Sequence, residues 1–312
     1  MGEWVVGVDL GATKIAAGLI TPHNEIIQKA YAETKPAEGP PAVVERIAGC
    51  VEQLTSALPK SQCLAAIGVC CPGPLDHEAG LVLDPPNLTG WMNVPLQQML
   101  EERLHLPAPI EHDAKAAALG EFHFGAGRGS NDMIFVIIGT GVGAAIIIGG
   151  ELYRGPTNSA GEIGHITVDM NGPACSCGSN GCLEVFVAGP DLADRFREAM
   201  QGLDIDVPDD LDGKKVAALA NQGQPQAIQV FQQAGQALGV GIAAMAHMFD
   251  ISTYILGGSV AKAGDLLLDP TRAAVHYRAF GSIGSRITVV ASPLGDDAGI
   301  LGSAWVARQA IK

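Results

Sequence analysis

The chain has 312 residues, 47% hydrophobic and 17% charged, which is enough apolar material for about two globular domains. Its 19 Lys and Arg stand against 33 Asp and Glu, a net charge of -14, and this argues against nucleic acid or an anionic membrane as a partner held by electrostatics. The opening residues carry no basic region and no long apolar run, so no secretory leader is expected; Cys50, Cys63, Cys70 and Cys71 sit in apolar surroundings, as reduced thiols of a cytoplasmic protein do.

In chain order, an apolar run at 4–8 passes through Asp9-Leu10-Gly11-Ala12-Thr13-Lys14 into a second run at 15–20, which predicts strand, turn, strand. Apolar positions at helical spacing predict helices over 42–58, 95–104 and 113–124, with strands at 64–69 and 108–112 between them. About 130 residues after the first unit the pattern returns: 134–138 leads through Gly139-Thr140-Gly141-Val142-Gly143 into 144–148, as an internal duplication would give. The uncharged stretch 133–150 is nearly long enough for a bilayer, but its glycines and β-branched runs read as two buried strands. Helices over 191–200, 227–249 and 299–311 and strands at 253–256 and 287–290 complete an α/β chain.

Turns of Gly, Thr and Ala offer backbone amides and hydroxyls without bulk, so two of them facing each other suit a triphosphate, with Asp9 orienting Mg²⁺ and Lys14 or Thr13 near the phosphates. Each alone is equally a hairpin with glycines for its geometry. Gly139-x-Gly141-x-x-Ala144 mimics a dinucleotide fingerprint, but that motif must open a helix and here a short apolar run follows. Asp113 stands where a strand meets a helix, as an N-cap aspartate does; the helix N-terminus also keeps a carboxylate ionised, as a general base for phosphoryl transfer needs.

Cys175-Ser-Cys177-Gly178-Ser-Asn-Gly181-Cys182-Leu-Glu184 places three thiols close together, with His165 ten residues before the first. Three Cys and one His complete a closed tetrahedral zinc site, and Gly178 and Gly181 suit a loop folded round an ion. The alternatives are free buried thiols or a disulfide, for which a Cys-x-Cys pair is too close in sequence.

With these motifs together, the chain resembles the ROK family of sugar kinases, which includes bacterial glucokinases and N-acetylhexosamine kinases. The segments that carry the resemblance are Asp9 to Lys14, Pro72-Gly73-Pro74-Leu75-Asp76, Pro86-Asn87-Leu88-Thr89-Gly90-Trp91, Gly161-Glu162-Ile163-Gly164-His165, the cysteine loop, and Gly257-Gly258 after an apolar strand. The resemblance implies a two-domain actin-like ATPase (ribonuclease H-like) α/β fold with a cleft between domains. A small domain at 1–122 would regain the last helix, about 297–312, and 123–296 would form the larger zinc-bearing domain.

It further implies ATP-dependent phosphorylation of a hexose, most simply glucose at its 6-hydroxyl, with Asp113 as base. Asn87, His112, Glu162, His165 and Glu184 would contact the sugar. Asp9, Gly11, Thr13, Lys14, Gly139, Thr140, Gly141, Gly143, Gly257 and Gly258 would contact the nucleotide and its Mg²⁺. His165, Cys175, Cys177 and Cys182 would hold zinc, and a homo-oligomer, dimer or tetramer, is expected. His112 departs from the Asn usual before the catalytic Asp and leaves the sugar open, so an N-acetylmannosamine or N-acetylglucosamine kinase is the alternative. The family's sugar-responsive transcription regulators carry a helix-turn-helix module before the first strand, where this acidic chain begins its strand at Trp4. A filament-forming actin-like protein has no use for a zinc loop.

Overall fold

The computed structural model describes residues 3–201 and 208–312. The chain folds into two compact units, Met1–Arg128 with Asp296–Lys312, and Gly129–Gly295. Each is an α/β unit built on a mixed five-stranded sheet.

In the first unit β1 (Trp4–Leu10) is central. β2 (Lys14–Ile20) and β3 (Ile26–Glu33) extend antiparallel on one side, and β4 (Leu64–Cys71) adds parallel on the other. A two-stranded ribbon, β5 (Leu75–Asp76) and β6 (Leu81–Val82), precedes β7 (Ile110–His112), which pairs parallel to β4. Side chains alternate across a strand. Val6, Val8 and Leu10 therefore join Ile67, Val69 and Cys71 in one core, filled by α1 (Pro40–Thr55), α2 (Leu96–Leu104) and the buried Trp91.

The other face carries Gly7, Asp9, Gly68 and Cys70 and receives the last helix, α10 (Ala298–Gln309). A Cβ at Gly7 would overlap the carbonyl oxygen of Ile300, and one at Gly68 that of Ser303, so the helix backbone lies directly on the sheet. The Ser303 hydroxyl donates to the Val8 carbonyl at 3.1 Å. α3 (Asp113–Phe124) meets α10 as closely, Gly302 against the Ala116 carbonyl. Because β1, β4 and β7 run parallel, their C-terminal ends bring Asp9, Cys70 and His112-Asp113 to one edge.

The second unit repeats the strand order. β8 (Met133–Ile138) is central, with β9 (Val142–Ile148) and β10 (Glu151–Tyr153) antiparallel on one side and β11 (Thr253–Gly257) and β12 (Thr288–Ala291) parallel on the other. Its helices are α4 (Glu184–Val187), α5 (Gly189–Met200), α6 (Gly213–Asn221), α7 (Pro225–Phe249), α8 (Asp265–Arg278) and α9 (Gly281–Gly284). Ile134, Val136 and Ile138 pack in one core with Phe231, Leu238 and Ile242 of α7. α6 and α8 lie outside the sequence expectations: α8 carries Pro270 in its interior, ordinarily a helix breaker. The Pro270 ring is accommodated because it faces Gly235 of α7, where a side chain would collide with it.

Candidate active site and metal centre

The first glycine turn is closed by the Gly11 N–H donating to the Lys14 carbonyl at 2.9 Å. Thr34, fully buried, donates its hydroxyl to the Gly11 carbonyl at 2.7 Å, and its N–H donates to the Thr13 carbonyl at 3.0 Å. Thr34 was invisible in the sequence because it follows the edge strand β3. Lys14 extends over the Tyr31 ring, 4.4 Å from its centroid.

Asp9 ends β1 beside this turn. Burial, and next the charge of Asp113, push its carboxyl up to about 6; a hydrogen bond from the Cys70 thiol at 3.5 Å and the charge of Lys14 work against the rise, and Asp296 adds to it. Two further acids thus bear on Asp9 at this edge, and neither Cys70 nor Asp296 was expected there. Burial also holds the Cys70 and Cys71 thiols well above the ordinary range, so both stay protonated. Asp113 opens α3, with Oδ1 accepting the Ala114 N–H at 2.6 Å while its side chain stays 39% exposed and reachable. His112 places Nδ1 at 3.0 Å from the same oxygen. Asn87 is exposed on the loop anchored by the buried Leu88 and Trp91.

In the second unit Gly139 and Gly141 close the other turn, Gly139 N–H to the Gly141 carbonyl at 2.9 Å, and the Gly189 N–H donates to the Gly139 carbonyl at 2.8 Å. Gly258 has φ of 88°, and a Cβ there would strike the Ile138 carbonyl, so only glycine fits where β11 leaves the sheet. A cavity of about 310 Å³ is lined by Gly139, Thr140, Gly189, Asp212, Gly213, Lys214 and Ser259 among others. Gly189 opens α5 and Gly213 opens α6, so two helix N-termini, a glycine turn and a lysine meet in one concavity, an arrangement that favours an anion. Asp212 and Lys214 carry no sequence signal, because only the fold brings α6 to this turn.

Glu162 precedes, and His165 ends, a short 3-10 turn, Ile163–His165, next to β9, with the Ala144 N–H donating to the Gly161 carbonyl at 2.7 Å. Glu162 is exposed. Glu184 begins α4, two residues after Cys182, and its Oε2 accepts the Val142 N–H at 2.9 Å. A Cβ at Gly141 would come within 2.8 Å of the same oxygen. Glu184 therefore ties the cysteine loop to the second glycine turn.

His165, Cys175, Cys177 and Cys182 present ligand atoms that all lie within 4.8 Å of one another. His165 Nδ1 is 3.7 Å from Cys175 Sγ, and the Cys177 and Cys182 sulfurs are 3.6 Å apart. Ligands at tetrahedral Zn–S bond lengths stand about 3.8 Å from one another, so the donor set and its spacing fit zinc. The loop is shaped by the Cys175 N–H donating to the Ser179 carbonyl at 2.7 Å and by Gly178 and Gly181, both at positive φ. Burial first, then the neighbouring thiols, raise the Cys182 thiol, a crowding of acidic sulfurs that a cation relieves. Nδ1 serves the cluster, which leaves the other ring nitrogen of His165 for another partner.

The sequence profile of the ROK family matches residues 5–310. A glucokinase of Streptomyces coelicolor is 35% identical over 315 residues, covering 97% of this chain and 97% of that protein. The crystal structure of a ROK family glucokinase from Streptomyces griseus in complex with glucose and AMPPNP is 36% identical, with a TM-score of 0.82 over 98% of this chain and 99% of that one. The ROK hexokinase of Thermus thermophilus is 34% identical, with a TM-score of 0.81 over 99% of each chain. The fold is accordingly the actin-like ATPase fold of ROK hexokinases, and this chain belongs to the ROK family.

Proposed function

We propose that this ROK sugar kinase phosphorylates the 6-hydroxyl of glucose with ATP. The observation that carries the reading is Asp113: a reachable carboxylate held by a helix N-terminal amide on the strand edge that also carries Asp9. As the sugar oxygen bonds to the γ-phosphorus and the bond to the ADP oxygen breaks, Asp113 takes the hydroxyl proton. Asn87, Glu162, His165 and Glu184 are assigned to the sugar, and Glu184 has one carboxylate oxygen left after binding Val142.

The turn at Gly139, Thr140, Gly141 and Gly143, with Gly257 and Gly258, is assigned to the nucleotide, and Gly11, Thr13 and Lys14 to its terminal phosphates. The cavity of about 310 Å³ beside the second turn, with its two helix N-termini, supports that assignment. Asp9 suits Mg²⁺, because its carboxyl is raised by burial and by Asp113, charges that a cation offsets. Mg²⁺ held there with the nucleotide would supply charge neutralisation for the transferring phosphoryl group. Zinc in the cysteine cluster is structural on this reading.

Seven unpaired cysteines fit a cytoplasmic setting, and among the described residues no helix is long and apolar enough to cross a membrane. A homo-oligomer is proposed on the resemblance alone, and light scattering tests it. The reaction is tested with a coupled ADP-release assay over glucose, mannose, N-acetylglucosamine and N-acetylmannosamine. The highest kcat/KM on glucose is expected; a higher value on an N-acetylated sugar overturns the glucose assignment.

A further inference from the structure

Resting on Asp113 as the base, we propose that His112 is a positioning residue for Asp113: its ring donates Nδ1–H to Oδ1, leaving Oδ2 as the oxygen that takes the substrate proton. Three polar atoms meet here. The Ala114 N–H is directed at both Asp113 Oδ1, at 2.6 Å, and His112 Nδ1, at 3.2 Å, and those two atoms are 3.0 Å apart. A single N–H bonds best to the nearer, charged oxygen. If Nδ1 were bare, its lone pair would face a carboxylate oxygen at 3.0 Å, a repulsive contact; with a proton on Nδ1 the same distance is a charge-assisted hydrogen bond. Nδ1 thus carries a proton, and Oδ1 accepts from two donors.

The opposite edge of the ring is held as tightly. A Cβ at Gly73 would lie 2.5 Å from Cδ2 and 2.8 Å from Nε2 of His112, so the ring is wedged between the loop at 72–74 and the Asp113 carboxylate. His112 is the last residue of β7 and pairs across to Cys71, which fixes its backbone. A side-chain amide is shorter than imidazole and would not fill this space, which gives the departure from Asn a physical purpose.

The other ionisable groups on the surrounding elements are Asp9 on β1, Cys70 and Cys71 on β4, and Glu111 and Lys115 on either side in the chain. The two thiols stay protonated. The Asp9 carboxyl, pushed up to about 6, adds its own titration to any pH profile, but it is unchanged in every variant below, so differences between pH profiles isolate His112.

His112→Phe keeps the ring and removes the donor. With the carboxylate freed to rotate, kcat on glucose is expected to fall roughly 10- to 100-fold with KM changed by no more than about twofold. The acid limb of the kcat profile should move to higher pH, since the ionised carboxylate loses a hydrogen-bond donor. His112→Asn should move the limb part of the way back, because an amide N–H is again available. Gly73→Ala, which pushes on the ring with His112 in place, should repeat the fall in kcat. An unmoved acid limb with altered KM or altered ratios between sugars would mean that His112 reads the substrate, and the proposal fails. It fails equally if activity in His112→Phe and Gly73→Ala only tracks the folded fraction measured by circular dichroism. Asp113→Asn measured alongside separates the underlying reading: turnover within about tenfold of the parent removes Asp113 as base, whatever the His112 variants do.

Discussion

The two units carry the same five-strand order and the same glycine hairpin after the central strand, yet the hairpins end in opposite electrostatic settings. The first borders Asp9, Asp113 and Asp296, where the charges of the other two acids help to raise the Asp9 carboxyl. The second borders the N-termini of α5 and α6 and Lys214. On the proposed function one scaffold would then be used in two ways, with the base and the acids suited to a cation beside the terminal phosphates in one unit and the rest of the nucleotide in the other. The backbone sets where the turn lies; the residues that arrive from distant elements set its charge.

The sharpest way to break the contrast is through the metal. Protein purified without chelator should hold one zinc per chain, and Cys177→Ser should lose both the metal and folded stability, since binding at a closed site is folding free energy. Hydrogen exchange should place the loss in residues 129–295 while the first sheet stays protected; elemental analysis finding no zinc in the parent protein refutes the site.

Next in size is Asp113→Asn. Loss of a general base costs roughly 10²-fold or more in kcat, while calorimetry should find sugar binding largely intact because the amide keeps the shape. A variant that fails to bind sugar would make Asp113 a ligand first and a base second.

Gly258→Ala tests the anion-binding side. An alanine at φ of 88° whose Cβ strikes the Ile138 carbonyl must displace the end of β11, so nucleotide affinity should fall about tenfold or more, with glucose affinity within about twofold of the parent. Equal weakening of both ligands would erase the proposed division between the units.

The smallest effect concerns Asp9. Its folded carboxyl lies at about 6 against 3.8 for an unperturbed Asp, so the folded state keeps a proton that the unfolded state has shed. Its charge then costs stability, in full above about pH 6, fading as pH falls toward 3.8. Asp9→Asn should therefore be more stable than the parent at pH 7.5 without Mg²⁺, by about 2 kcal/mol after allowing for partial exposure, with no gain at pH 4. An equal gain at both pH values would trace the effect to packing. Loss of kinase activity in the same variant would be the functional counterpart of that stabilisation.

Much of the site was legible because its chemistry is local. The three cysteines lie within eight residues, with His165 ten before the first, and the cluster they form needs only a short loop with two glycines at positive φ. The two hairpins announced themselves by apolar runs on either side of glycine, and α3 by an unbroken helix former after Asp113. β3 and α8 were not legible, for different reasons. β3 is an edge strand whose residues are mostly part-exposed, so its alternation is blurred; α8 tolerates Pro270 only because α7 offers Gly235 opposite.

By itself the sequence determined the His165 and three-cysteine set that fits zinc, the two glycine turns and the strand-to-helix junction at Asp113, since each depends on residue type and short-range geometry. Tertiary structure alone decided what those elements meet. Gly7 and Gly68, about 60 residues apart, matter because α10 comes back from the end of the chain to lie on them. Cys70 and Asp296 bear on Asp9, Thr34 closes the first turn, and Glu184 joins the cysteine loop to Val142, all through contacts between residues distant in the chain. Such contacts arise from close packing of whole elements, and no periodicity or spacing along one stretch of chain encodes them.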